Sequence, residues 1–255
     1  SRQQKSQVKA REGEREDGDR GPAFEAADVP DDTFHDGALA EMAIKTLRQM
    51  AKKNQPFWLG VGFIKPHLPF VAPKKYWDLY DPAKFTLARD QQDPVGAPAY
   101  AGKRGGEIVN YEPLSEESLR EDAHQRTLIH AYYACISFMD AQLGRVLDEL
   151  DRLKLADNTV IVLWGDHGWH LGDHGYWTKH TNYEQANRIP LFIVAPGVTR
   201  PGSVTRQLTE TVDIYPTLCQ LAGLPLPKHL QGRSLKPMLE SPDAKGKQVA
   251  ISTMV

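Results

Sequence analysis

Leu39, Met42, Ala43, Leu47 and Met50 recur at three- and four-residue spacing, which predicts an amphipathic helix over residues 36–53. Pro56 ends it, and the run 57–63 (Phe-Trp-Leu-Gly-Val-Gly-Phe) is apolar at nearly every position. A continuous apolar run beside a helix predicts a short strand in a sheet covered on both faces. Lys65-Pro66-His67-Leu68-Pro69-Phe70 holds too much proline for a helix or a central strand. Residues 73–80 predict a short helix with an aromatic face. Residues 81–114 are rich in Pro and Gly without periodicity, and an irregular stretch of that length is often a binding loop. From Ser115, an N-cap residue type, one helical pattern runs to about Leu155.

The second half alternates again. Residues 159–164 (Thr-Val-Ile-Val-Leu-Trp) have the composition of a fully buried strand. A glycine- and histidine-rich loop follows over 165–179. Then come a short helix near Glu184, a strand over 191–195 and a turn at Pro196-Gly197. A short helix over 213–223 ends at a glycine C-cap, and 248–253 reads as the beginning of another strand. Helix and strand alternating at these spacings predict an α/β layered domain. No internal repeat is present.

Composition narrows the class. Apolar residues make up 40% of the 255 positions and charged residues 25%, the balance of a soluble globular protein with a substantial core. A net charge of -2 predicts no general attraction to nucleic acid or to an anionic membrane. The longest apolar runs are too short to span a bilayer. Cys135 and Cys219 lie in apolar, helix-like contexts and read as buried thiols, with a bridge between them as the alternative. Neither has CxxC spacing, so no structural zinc site is expected. Residues 1–22 are dense in both charge signs and poor in large apolar groups, so they predict a disordered or loosely held segment. The chain opens on Ser1 without a signal pattern, and both ends read as cut from something longer.

The densest set of reactive groups is Trp164-Gly-Asp166-His167-Gly-Trp169-His170-Leu-Gly-Asp173-His174-Gly-Tyr176-Trp177-Thr178-Lys179. It begins where a predicted strand ends, the place where open α/β sheets bind ligands. A carboxylate beside an imidazole, Asp166 with His167, suits a divalent cation. Either residue alone could be a turn cap or a structural histidine; the clustering favours a site. His170 and His174 offer an alternative, a zinc site completed with His167. Lys179 taken singly reads as a solvated lysine. Trp169 and Trp177 read as core or pocket wall, and Trp169 is carried as a substrate-contact candidate. A second candidate is His67, held by prolines in a stiff loop just past a predicted strand; the alternative is a structural histidine.

These segments, Phe57-Trp-Leu-Gly-Val-Gly-Phe-Ile-Lys-Pro-His-Leu-Pro-Phe70 and Gly165 to Lys179, resemble the paired motifs of the sulfatases, most of all the iduronate-2-sulfatase branch. Leu143-Gly-Arg-Val-Leu-Asp-Glu-Leu150, Arg188-Ile-Pro-Leu191, Val212-Asp-Ile-Tyr-Pro-Thr-Leu218 and Gln231-Gly-Arg-Ser-Leu235 are similar to the same family in the same order. The resemblance covers about 36–252. It implies an alkaline-phosphatase-like α/β/α sandwich, here incomplete at both ends, with 23–255 as the later part of a catalytic domain. It implies hydrolysis of sulfate monoesters with a bound Ca2+, or Mg2+ or another divalent cation in its place. Asp166 and His167 would be metal ligands. Lys179 would bridge sulfate and nucleophile, and His67 would contact the sulfate or protonate the leaving oxygen.

The family's nucleophile is a formylglycine made from the Cys or Ser of a Cys/Ser-x-Pro/Ala-x-Arg motif. Cys135 is followed by Ile-Ser-Phe-Met and Cys219 by Gln-Leu-Ala-Gly, and no serine fits either. The acidic metal ligands of the family's first strand also have no counterpart; Asp31-Asp32 reads as a polar turn or helix cap. The expectation is therefore a sulfuric ester hydrolase lacking its nucleophile within these residues and inactive alone. Its whole protein would act on sulfated saccharides such as sulfated uronic acids, with the missing first part of the domain as a partner. The rival readings are a phosphomonoester or phosphonate hydrolase of the same superfamily and a non-catalytic glycan-binding remnant. The family's members are commonly exported or lysosomal.

Overall fold

The structure, a computed structural model, describes residues 20–98, 100–102 and 105–252. They fall into two compact units, one of 1–153 with 169–181 and the other of 154–168 with 182–255.

The first unit opens with β1 (Arg20–Pro22) and β2 (Phe24–Ala27). Of the segment predicted to be disordered, 1–19 lie outside the described residues, while its last three form β1. Asp31-Asp32 start a short 3-10 turn, as the polar Pro-containing sequence predicts. The first helix, α1 (His35–Ala51), buries Ala40, Ala43, Ile44 and Leu47, whereas Met42 points outward, 60% exposed. Ala43 and Leu47 are buried as predicted, Leu39 and Met50 only partly, and Ala40 and Ile44 complete the buried stripe. Gly37 packs so closely on the turn that a Cβ would lie 2.1 Å from the Asp31 carbonyl oxygen.

β3 (Phe70–Pro73) pairs in parallel with β2 in the register Phe24 to Phe70 through Ala27 to Pro73, and all four of its residues are buried. It leads into α2 (Lys74–Trp77). β4 (Tyr111–Glu112) pairs with β1. The long helix predicted from Ser115 is broken: Ser115 Oγ accepts the Ser118 N–H at the start of a 3-10 turn over Ser118–Arg120, Glu121 is extended, and α3 then runs Asp122–Arg152. Its 31 residues span roughly 46 Å.

On α3, Leu128, Ala131, Cys135, Phe138, Val146 and Leu150 form one buried stripe at helical spacing. Of these, Leu128, Ala131, Cys135 and Phe138 pack with Phe34, Phe70, Ile108 and Trp177 into the core of this unit, where Phe138 meets Phe34 and Tyr76. Three polar residues interrupt the stripe and each has a partner, as burial demands. Gln125 donates to Gln91, Gln142 donates to Asp31, and Glu149 pairs with Arg48 and Arg152.

In the second unit, β5 (Ile161–Trp164) pairs antiparallel with β6 (Leu191–Val194), with α4 (Glu184–Asn187) between them in sequence. β5 was expected to be fully buried, but Trp164 is 45% exposed and the strand is half-buried. α5 (Ile214–Leu221) follows a 3-10 turn, and Gly223, at φ 69°, ends it in the left-handed conformation that glycine adopts readily. α6 (Lys236–Glu240) comes last. The strand expected at 248–253 is not formed over the described residues to 252; an isolated bridge joins Leu208 to Lys247 instead.

Two of the sequence motifs close this unit. The fully buried Asp213 carboxylate accepts the N–H groups of Glu210 and Arg233 and pairs with Lys247 at 2.7 Å. Thr217 Oγ1 accepts the Leu235 N–H at 2.7 Å, and Gly232 sits against the Val212 carbonyl with no room for a Cβ. The 212–218 and 231–235 segments are thus a structural clasp. Cys135 and Cys219 are both buried thiols.

Candidate active site

The segment leading into the His67 loop, predicted as a strand, runs 57–63 without a strand partner among the described residues. Its residues alternate between half-buried and exposed, with Trp58 73% exposed. Apolar composition supplies the β pattern, but a ladder requires a second edge for its N–H and C=O groups.

The loop itself is rigidly built. The side chain of Asp36, buried in the first turn of α1, accepts the backbone N–H groups of Ile64 and Lys65, each at 2.9 Å. Lys65 is also buried, and its ammonium donates to the Pro69 carbonyl at 2.8 Å and to the His67 carbonyl at 3.5 Å. The Lys65–Pro66 and Leu68–Pro69 bonds are both cis. His67 projects from this frame, exposed, with Nδ1 2.8 Å from the Leu68 carbonyl oxygen. Sequence reasoning selected His67 but missed Asp36 and Lys65. Asp36 carried no signal beyond its place at a helix start, and Lys65, within the candidate segment 65–67, was given no role of its own.

The glycine-rich loop divides between the units. Residues 169–181 belong to the first, where Trp177 is buried in the core and Trp169 packs edge-on against Phe70 at 5.8 Å. His170 is fully buried with Nε2 2.8 Å from Thr181 Oγ1, and burial pushes its imidazole below the ordinary value. The His174 N–H donates to the Asp90 carbonyl, and Tyr176 donates to Asp93, so the 81–114 stretch is pinned to this loop. Lys179, with 15% of its side chain exposed, places Nζ 3.0 Å from His67 Nε2. Glu107, which the sequence reading did not select, places Oε2 3.7 Å from the same Nζ. These two motifs, 112 residues apart, therefore converge on one anion-competent pair.

Residues 154–168, with Asp166 and His167, belong to the second unit. Asp166 follows β5 and is largely exposed, with Oδ1 accepting the His167 N–H at 3.0 Å. His167 Nδ1 lies 2.7 Å from the Gly168 carbonyl, so Nδ1 is a donor and Nε2 is the nitrogen left for another partner. That Nε2 is 3.8 Å from Asp166 Oδ2. The pair fits a divalent cation: a carboxylate oxygen and an imidazole nitrogen close enough to share an ion, with the ring oriented by a carbonyl on its far side. Among the described residues no group of three or more His, Cys, Asp or Glu could hold a metal, so the zinc site of His167, His170 and His174 is not formed. His170 is turned to a buried structural bond instead.

Comparison with known proteins agrees with the motifs. The sulfatase family model matches residues 6–224. Iduronate 2-sulfatase of Mus musculus is 37% identical over 239 residues, 80% of this chain and 42% of that protein. N-acetylglucosamine-6-O-sulfatase of Bacteroides thetaiotaomicron is 39% identical over 110 residues, 43% of this chain and 20% of that protein. The structure of the phosphonate monoester hydrolase SpPMH from Silicibacter pomeroyi superposes with a TM-score of 0.73 at 25% identity, covering 96% of this chain and 50% of that one. The chain spans less than half the length of the two curated relatives. The fold is of the alkaline-phosphatase-like α/β type expected from the sequence. With the model matched over most of its length, the chain belongs to the sulfatase family.

Proposed function

We propose that this chain supplies part of the active site of a sulfate-ester hydrolase acting on sulfated saccharides. The observation that carries the reading is the convergence of His67 and Lys179 at 3.0 Å from two distant motifs of one family. A sulfate monoester is anionic, and a lysine ammonium with a hydrogen-bonding imidazole is suited to its oxygens and to the leaving oxygen. Lys179 binds and neutralises; His67 contacts the sulfate or, once protonated at Nε2, gives a proton to the leaving oxygen. Trp169, half-buried and packed edge-on against Phe70, is the candidate for contact with the saccharide.

Asp166 and His167 would hold the divalent cation that sulfatases generally use. Bound there, such an ion would supply charge neutralisation for an anionic ester. Ca2+ suits the carboxylate and Mg2+ is the alternative, while an imidazole ligand departs from the oxygen preference of both. With two protein ligands, affinity for calcium alone is weak. No Cys or Ser of the 255 residues lies in a Cys/Ser-x-Pro/Ala-x-Arg motif, so a formylglycine of the kind sulfatases generally use would have to be supplied by residues outside them. The saccharide substrate accords with the names of the relatives, an iduronate sulfatase and an N-acetylglucosamine sulfatase.

The test is binding and turnover of an aryl sulfate and of a sulfated uronic-acid disaccharide by the purified chain. Binding without hydrolysis, weakened about 10-fold or more by Lys179→Ala, is the expected result. Equal binding by wild type and variant, or hydrolysis by the chain alone, overturns it. The likeness to a phosphonate monoester hydrolase favours one second reading, a phosphonate or phosphomonoester substrate. An aryl phosphonate bound in preference to the sulfate would move that reading to first place.

A further inference from the structure

A carboxylate at an anion site is a liability unless it does something there. Glu107 is such a group, with Oε2 3.7 Å from Lys179 Nζ and 20% of its side chain exposed. Its position is fixed. It lies in a 3-10 turn, Gly106–Asn110, and the adjoining Ile108 is fully buried in the core. Gly106 enters the turn at φ 67°. Tyr111 then ties the exit of the turn to β1. Glu107 is thus presented to Lys179 by a stretch of backbone anchored on both sides.

We propose that Glu107 is a specificity-determining residue that removes the advantage of doubly charged over singly charged esters at the His67–Lys179 pair. The inference rests on the anion-site reading above and names what it selects. A sulfate monoester carries one negative charge, whereas a phosphate monoester, with its second pKa near 6, carries close to two at neutral pH. The Lys179 ammonium attracts both. Glu107 repels both, and Coulomb repulsion scales with ligand charge, so the dianion is opposed twice as strongly. A site of Lys179 and His67 alone would favour the dianion; the added carboxylate removes that preference.

A merely structural role makes a different forecast. If Glu107 only holds the Lys179 side chain in place, its removal weakens both ligands by the same factor. Removal of a charge filter strengthens both, and the dianion by the square of the monoanion's gain.

Phenyl sulfate and phenyl phosphate are titrated into the full chain at roughly pH 8, where the phosphate is doubly charged, and at low salt to limit screening. The wild type is compared with Glu107→Gln, which keeps the shape, and Glu107→Asp, which keeps the charge. Expected is a gain of about 5-fold for phenyl sulfate and about 25-fold for phenyl phosphate in Glu107→Gln, with Glu107→Asp retaining most of the discrimination. Equal changes for the two ligands, or a loss for both, overturn the filter while leaving the anion site intact. Absence of binding by either ester to the wild type overturns both the filter and the reading beneath it.

Discussion

His67 Nε2 accepts a hydrogen bond from the Lys179 ammonium, because His67 Nδ1 is committed as the donor to the Leu68 carbonyl. A carbonyl can only accept, so the tautomer follows from the partner. In this state the imidazole has no proton to offer an anion. For His67 to donate to a sulfate oxygen or a leaving group, the ring must first gain a proton at Nε2. Aryl sulfate binding is therefore expected to fall about 5-fold or more in His67→Ala and by less in His67→Gln, whose amide can still donate. Calorimetric titration of the two variants measures it. Unchanged affinity in His67→Ala would mean that the ester binds Lys179 alone.

The frame behind His67 yields a second expectation. The Asp36 carboxylate accepts two backbone N–H groups out of contact with water, and the Lys65 ammonium is held by two carbonyls. An amide at position 36 turns one of two acceptor oxygens into a donor facing a donor. Asp36→Asn is expected to destabilise the chain by about 2–4 kcal/mol. It should also weaken aryl sulfate binding, as His67 loses its fixed aim. Denaturant unfolding and titration of the surviving folded protein check the two effects. Unchanged affinity in a destabilised variant would make Asp36 a fold residue with no part in aiming His67.

Much of this was legible in the sequence. Helical spacing placed α1 and most of α3, because side chains four apart share a face whatever surrounds them. The motifs singled out His67 and Lys179, which lie 3.0 Å apart. Strands were read less well. Residues 57–63 and Ile161–Trp164 are apolar on every face, which predicts burial on both, yet a strand is completed by a partner far along the chain. Nothing local reports whether that partner is present. Glu107 escaped for the same reason: it stands in an aperiodic stretch, and only the fold brings it 3.7 Å from Lys179. The three histidines of the 165–179 loop read alike as a string. Burial then separates His170, bonded to Thr181, from His167, whose Nε2 faces a carboxylate.

Gly168 separates conformational from steric reasons for glycine. A Cβ there would stand 2.0 Å from the Gln185 carbonyl oxygen, while its N–H donates to Ala186 at 2.7 Å. Backbone cannot step aside as a flexible side chain can. Gly168→Ala is expected to cost about 1–3 kcal/mol and to weaken divalent-cation binding at the adjacent His167. Gly144 on α3 is the control: nothing lies within 4 Å of its added Cβ, so Gly144→Ala should stabilise by about 0.5–1 kcal/mol. Thermal unfolding with and without calcium reads both. A tolerated Gly168→Ala would show that the loop carrying His167 can shift without harm.

Glu149 gives the pH dependence its sign. The Arg152 guanidinium, and Arg48 from α1 on its other side, hold its carboxyl at about 2, below the ordinary value of 4.5. Arg48 reaches it through two bonds, Nε to Oε1 at 2.8 Å and Nη2 to Oε2 at 3.1 Å. A carboxyl whose folded pKa is depressed binds protons more readily when unfolded. Its stabilising contribution is therefore complete above about pH 4.5 and drains away as the pH falls through about 2. Glu149→Gln removes the charge and leaves two arginines facing an amide. The variant should melt below the wild type at neutral pH, and the two melting temperatures should converge as the pH is lowered from 4.5 toward 2. A gap that persists undiminished in acid would assign the loss to packing between α1 and α3 rather than to the ion pairs.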